Sequence, residues 1–174
     1  MPNLKTFILK DCSYIMRLKK IKTEIEVYRF DELSESDQAL VNQAKAATER
    51  SYAPYSKFQV GAALRLANDV VLQGSNQENA AYPSGLCAER VTMFYANSQY
   101  PEVAPVALAI ATQTEGAFLA QPITPCGSCR QVLLESEERF RRPIEVLLYG
   151  TEYVYKLKQV RDLMPLAFDK ESLV

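Results

Sequence analysis

Between residues 58 and 66 the chain alternates, with Phe58, Val60, Ala62, Leu64 and Leu66 falling on one side. This two-residue period is that of a strand with one covered face. Asn68-Asp69 follows as a turn and Val70–Gly74 as a second run, so the stretch predicts a β-hairpin. Upstream, Leu40, Val41, Ala44 and Ala47 recur at helical spacing behind Ser34 or Ser36 and an acid-rich start. A helix capped by one of these serines and running through Glu49 is expected, ended by Tyr52-Ala53-Pro54-Tyr55-Ser56.

Downstream of the hairpin the period changes. Cys87 opens a helical stretch to about Asn97, and Val103–Thr112 is an apolar run suited to a buried strand. Pro125 precedes a second helical stretch, Cys126–Glu137, and Ile144–Tyr149 reads as the next strand. Lys156–Leu163 predicts a last helix, stopped by Met164-Pro165. Strands alternating with helices after an opening hairpin predict an α/β sandwich with a mixed sheet.

The chain has 174 residues and is 48% hydrophobic, enough for one domain with a full core. We expect that domain at 23–174, behind a basic N-terminal extension at 1–22. The extension carries Lys5, Lys10, Arg17, Lys19, Lys20 and Lys22 against the single acid Asp11. Met16 reads as well as Met1 as a start, and the short, irregular apolar pattern argues against an amphipathic membrane helix. A net charge of -1 provides no basic field for a polynucleotide or an anionic membrane, so the substrate is expected to be small. Met1–Lys10 lacks the pattern of a secretory signal and no apolar run approaches the roughly 20 residues of a membrane span, so a cytoplasmic location is expected.

The chemistry lies in two short segments. Cys87-Ala88-Glu89-Arg90 and Pro125-Cys126-Gly127-Ser128-Cys129-Arg130 place three thiols and a carboxylate at helix starts, in a chain with no histidine. Helix N-termini favour thiolates. Three thiolates leave the fourth position of a tetrahedral zinc open, as in a catalytic site, and Glu89 is then the candidate proton carrier. CxxC alone is compatible with redox or structural roles; a CxE segment ahead of P-C-x-x-C is a much more specific pattern. The competing reading is a structural zinc clip with Cys12 as its fourth ligand; otherwise Cys12 is a spare thiol. Glu89 as a plain helix-start charge is the bland reading of that residue.

Together with two further blocks, Tyr52-Ala53-Pro54-Tyr55-Ser56-Lys57-Phe58-Gln59-Val60-Gly61-Ala62 and Asn76-Gln77-Glu78-Asn79-Ala80, these segments resemble the small, three-cysteine zinc class of cytidine deaminases. The resemblance spans residues 33–168. It implies a three-layer α/β/α sandwich with a mixed central β-sheet, and one zinc per subunit on Cys87, Cys126 and Cys129. It also implies hydrolytic deamination of cytidine and deoxycytidine in pyrimidine salvage, with Glu89 acting as base and then acid and with no organic cofactor. The same resemblance places Asn76 and Glu78 on the ribose hydroxyls, Phe58 on the base, the Ala88 backbone amide on the pyrimidine edge and Arg90 on a ligand sulfur. It implies a homotetramer in which Phe168 reaches a neighbouring subunit's pocket. Two departures stand out: Leu166 replaces a glycine in Leu163-Met164-Pro165-Leu166-Ala167-Phe168, and Gln113–Gln121 is longer than usual. The rival readings are a deaminase of another aminated nucleoside, such as a nucleoside antibiotic, and a non-catalytic zinc-binding module. A polynucleotide deaminase lacks its basic channel here.

Overall fold

The structure, a computed structural model, describes residues 17–173. Cys12, Met16 and most of the basic extension lie outside the described residues. The chain order is β1 (Glu26–Tyr28), α1 (Glu35–Ala47), β2 (Phe58–Leu66), β3 (Val71–Ser75), α2 (Ala88–Gln99), β4 (Pro105–Thr114), β5 (Ala117–Phe118), α3 (Gly127–Phe140), β6 (Glu145–Tyr149) and β7 (Val154–Leu157). The strands form one sheet ordered β1-β7-β6-β4-β2-β3, with β5 also paired to β4. All pairs are antiparallel except β4 with β6, aligned from Ala107 opposite Glu145 to Ile110 opposite Leu148. A parallel pair needs a crossover, and α3 lies in the connection between its strands. The sheet is therefore mixed, as expected.

Alternation along the central strands builds the two cores. From β2 and β4, Ala62, Leu64, Leu66, Leu108 and Ile110 face α2 and α3, where Met93, Ala96, Leu133 and Leu134 meet them. The intervening residues are small: Ala63, Ala107, Ala109 and Ala111 face the other way, against Leu40, Val41 and Ala44 of α1. Small side chains bring α1 close to the sheet. A Cβ on Gly61 would sit 2.1 Å from the Ala44 carbonyl oxygen, so only glycine fits that crossing. The result is the expected three-layer sandwich, α1 on one face and α2 with α3 on the other.

Local signals set most boundaries. Ser34 caps α1 by accepting from the Asp37 amide at 3.2 Å. The predicted extension to Glu49 continues as a 3-10 turn, Thr48–Arg50. The predicted hairpin is β2 with β3, in register from Gly61 opposite Ser75 to Arg65 opposite Val71. The long Gln113–Gln121 stretch turns at Glu115-Gly116 and returns as β5.

The predicted last helix, Lys156–Leu163, is not formed. Residues up to Leu157 belong to β7, which pairs with β1 and β6, and Val160–Leu163 is a 3-10 turn. Long-range contacts decide this segment: sheet ladders claim its first two residues, Lys156 and Leu157. The buried Glu137 carboxylate claims the 3-10 turn, accepting from the amides of Val160 at 2.8 Å and Arg161 at 3.3 Å. An eight-residue helix is marginal in water and cannot compete with such contacts.

Candidate active site

Two helix starts converge on one point. Cys87 is the N-cap residue of α2 and Cys126 that of α3, with Cys129 in the first turn of α3. The first turn of α2 is seated against β3, where a Cβ on Gly74 would lie 2.3 Å from Thr92 Oγ1. Cys87 Sγ lies 3.9 Å from Cys126 Sγ, and Cys126 Sγ 3.3 Å from Cys129 Sγ. All three sulfurs lie within 4.8 Å of one another. A tetrahedral zinc with Zn–S of about 2.3 Å requires sulfur separations of about 3.8 Å, so small shifts bring the three donors onto one ion. Neither Cys87 nor Cys126 uses its side chain to cap its helix.

The electrostatics are those of an anion cluster. The Cys87 thiol falls to about 5, chiefly because Cys129 hydrogen-bonds to it and then because Arg90 does. Cys129 moves the opposite way, raised by that same bond with Cys87 and by burial. Arg90 Nη2 stands 3.9 Å from Cys87 Sγ and 3.5 Å from the Gly85 carbonyl oxygen, and its buried Nε has no partner among the described residues. Glu89 is only 4% exposed, and burial pushes its carboxyl up, with the nearby Cys87 thiolate adding to the shift.

A cavity of about 740 Å³ opens over the sulfurs. Phe58, Asn76, Glu78, Cys87, Glu89, Arg90 and Cys126 line it, and Cys129 is buried beside them. The Ala88 side chain instead joins the core under α2, so any contact with a ligand from this residue must come from its backbone. Asn76 and Glu78 are already engaged. Asn76 accepts from the Val60 amide and donates to the Phe58 carbonyl oxygen, both at 2.8 Å, fastening the start of β2. Glu78 accepts from the Tyr55 amide at 2.9 Å, from the Ser56 amide at 3.3 Å and from the Ser56 hydroxyl, and so shapes the 52–57 loop.

Ser56, Tyr82, Ile123 and Thr124 also line the wall and were not singled out by sequence reasoning. Ser56 sits inside a noted block, but its partner Glu78 is distant in sequence. Tyr82 meets Tyr55 edge-on, with ring centroids 6.4 Å apart. No local pattern announces either contact. Thr124 could have been flagged by its place beside Pro125-Cys126.

This fold and site have relatives. The profile of the Cytidine and deoxycytidylate deaminase zinc-binding region matches residues 34–142. A cytidine deaminase of Sporosarcina psychrophila is 39% identical over 136 residues, which are 78% of this chain and 93% of that protein. One from Halalkalibacterium halodurans is 37% identical over 138 residues, 78% of this chain and 96% of that protein. The crystal structure of a cytidine deaminase from Burkholderia pseudomallei superposes with a TM-score of 0.63 at 40% identity, covering 78% of this chain and 100% of that one. The cysteine cluster, the mixed sheet and these relatives agree: the chain is an enzyme of the zinc-dependent cytidine and deoxycytidylate deaminase family.

Proposed function

We propose that this enzyme hydrolyses cytidine and deoxycytidine to uridine and deoxyuridine with release of ammonia, as a step of pyrimidine salvage. The observation that carries this reading is Glu89, a carboxyl almost wholly buried on the wall of the same cavity as the cysteine cluster. A structural zinc clip has no use for such a group, whereas a proton carrier needs its raised affinity for a proton. When bound to Cys87, Cys126 and Cys129, one zinc per subunit supplies a Lewis acid that acidifies water.

The chain's own groups do the rest. Glu89 takes one proton of the attacking water and delivers it to N3 of the pyrimidine as the C4–O bond forms, then carries the water's other proton from the C4 hydroxyl to the amino group, so that the C4–N bond breaks, ammonia leaves and the C4 carbonyl forms. One carboxyl thus serves as base and then acid. Three thiolates on a divalent ion leave one excess negative charge, which Arg90 offsets from beside Cys87. Phe58 packs on the base, the Ala88 amide meets the pyrimidine edge, and Asn76 and Glu78 hold the sugar hydroxyls. Arg90 is the only cation on the cavity wall among the described residues and it is engaged with Cys87 and Gly85, which favours an uncharged nucleoside over a nucleotide.

The same reading extends to the whole protein. Residues 23–174 act as one domain, with 1–22 as a basic extension. The reduced cysteines suit a cytoplasmic location, and no helix among the described residues is long and apolar enough to cross a membrane. Leu166 is 81% exposed and Phe168 61%, apolar surface suited to a neighbouring subunit in a homotetramer. Ammonia release from cytidine, deoxycytidine, cytosine, deoxycytidine monophosphate and adenosine tests the substrate assignment. Turnover of the two nucleosides alone is expected; preference for the monophosphate or for adenosine would contradict it.

A further inference from the structure

Helix α3 carries charges against its own dipole. Arg130 lies one residue past Cys129 near the positive end, and Glu137 and Glu138 lie in the last turn at the negative end. Each placement is unfavourable when the charge has no other partner. All three residues hold the same segment. Glu137 accepts the amides of Val160 and Arg161, Glu138 pairs with the Arg161 guanidinium at 2.7 Å, and Arg130 Nη1 donates to the Leu163 carbonyl oxygen at 2.8 Å. Gln131 adds a bond to the Phe168 carbonyl oxygen at 2.9 Å.

Arg130 differs from the others in what its remaining donors reach. Nε donates to the Pro125 carbonyl oxygen at 2.8 Å and Nη2 to Thr124 Oγ1 at 3.0 Å. Pro125 immediately precedes the ligand Cys126, and Thr124 lines the cavity. No carboxylate among the described residues lies within ion-pair distance of this guanidinium, so it is spent on three oxygen acceptors. A planar fork with donors on three sides fixes three partners at once, which a lysine cannot do.

We propose that Arg130 is a positioning residue that ties the placement of Cys126 and of the Thr124 wall to the docking of the C-terminal segment. The turn before α3 has no ladder of its own at Thr124 and Pro125; the guanidinium supplies its restraint. Loosening it frees one of the three sulfurs to leave the cluster, and a sulfur that leaves more often releases its metal faster. This rests on the metal reading of the three cysteines.

The test is the rate of zinc transfer from the zinc-loaded, full-length protein to a chromophoric chelator, well below the unfolding temperature. The variants are Arg130→Gln, Arg130→Lys and Leu134→Ala, the last removing buried α3 packing without touching the turn. Arg130→Gln is expected to release zinc about tenfold faster than Leu134→Ala, the scale seen when support around a metal site is lost. Arg130→Lys should fall between wild type and Arg130→Gln, and it serves alone if Arg130→Gln does not fold. Release from Arg130→Gln, or from Arg130→Lys where only that variant folds, no faster than from Leu134→Ala would overturn the proposal. A wild-type protein that takes up no zinc would overturn the metal reading and this inference with it.

Discussion

Replacing Glu137 by alanine removes a carboxylate that holds three backbone amides, those of Ile144 at 2.9 Å, Val160 at 2.8 Å and Arg161 at 3.3 Å. Ile144 and Val160 are fully buried, so water cannot readily replace the lost acceptor there. A buried donor left without a partner costs about 1–3 kcal/mol, which for two such donors gives about 2–6 kcal/mol, with the partly exposed Arg161 amide adding little. Some relaxation of the 3-10 turn is expected, and about 3–5 kcal/mol is the working figure. Glu137→Gln keeps the shape and one acceptor oxygen, enough for Ile144 and Val160 together, so its cost should be only about 1–2 kcal/mol. Urea unfolding of the zinc-loaded proteins measures both, and at about 2–4 °C per kcal/mol the alanine variant should melt about 6–20 °C lower. A loss below about 1 kcal/mol in Glu137→Ala would refute the idea that this carboxylate organises the C-terminal segment.

Acid should act through Asp37, whose carboxyl lies 2.9 Å from Lys156 Nζ and 3.5 Å from Arg65 Nη2. Burial alone would raise its pKa, but Lys156, Ser34 and Arg65 outweigh it and hold it below the ordinary 3.8. A depressed carboxyl contributes stability that is fully present above its unfolded value and is lost as pH falls through the folded one. The urea midpoint of wild type relative to Asp37→Asn should therefore be constant above about pH 5 and shrink below about pH 4; a difference independent of pH would contradict the pairing. Asn76→Ala and Glu78→Ala should each raise KM for cytidine about tenfold or more at unchanged zinc content, and cytosine should be a poor substrate of the wild type, because a site built for hydroxyls is left unpaired without them. Unchanged KM values would remove both residues from the sugar site.

What was legible in the sequence is what short-range periodicity and chemistry encode. The Phe58–Leu66 alternation, the Leu40–Ala47 spacing and the two cysteine segments each carry their signal within a dozen residues, and the structure folds them as read. Lys156–Leu163 is not the helix expected because its conformation is imposed from outside, by the β1 and β6 ladders and by Glu137. The same limit applies within the site. Asn76 and Glu78 were noticed as residues, but that they hold Phe58, Val60, Tyr55 and Ser56 depends on the 52–58 loop and 76–78 meeting in space. Nothing local marks the role of Arg130, because two of its acceptors are backbone carbonyl oxygens, one of them from the far C-terminal segment.

The central claim is that Glu89 carries protons for a reaction at the cysteine-held metal. Glu89→Gln keeps the size of the buried side chain and removes its ability to take a proton. The decisive measurement is kcat for ammonia release from cytidine, with zinc content determined on the same preparation. The account predicts zinc equal to wild type and kcat lower by about 10²–10⁴-fold, the range of acid–base catalysis. A zinc-replete variant retaining more than about a tenth of wild-type kcat would contradict it.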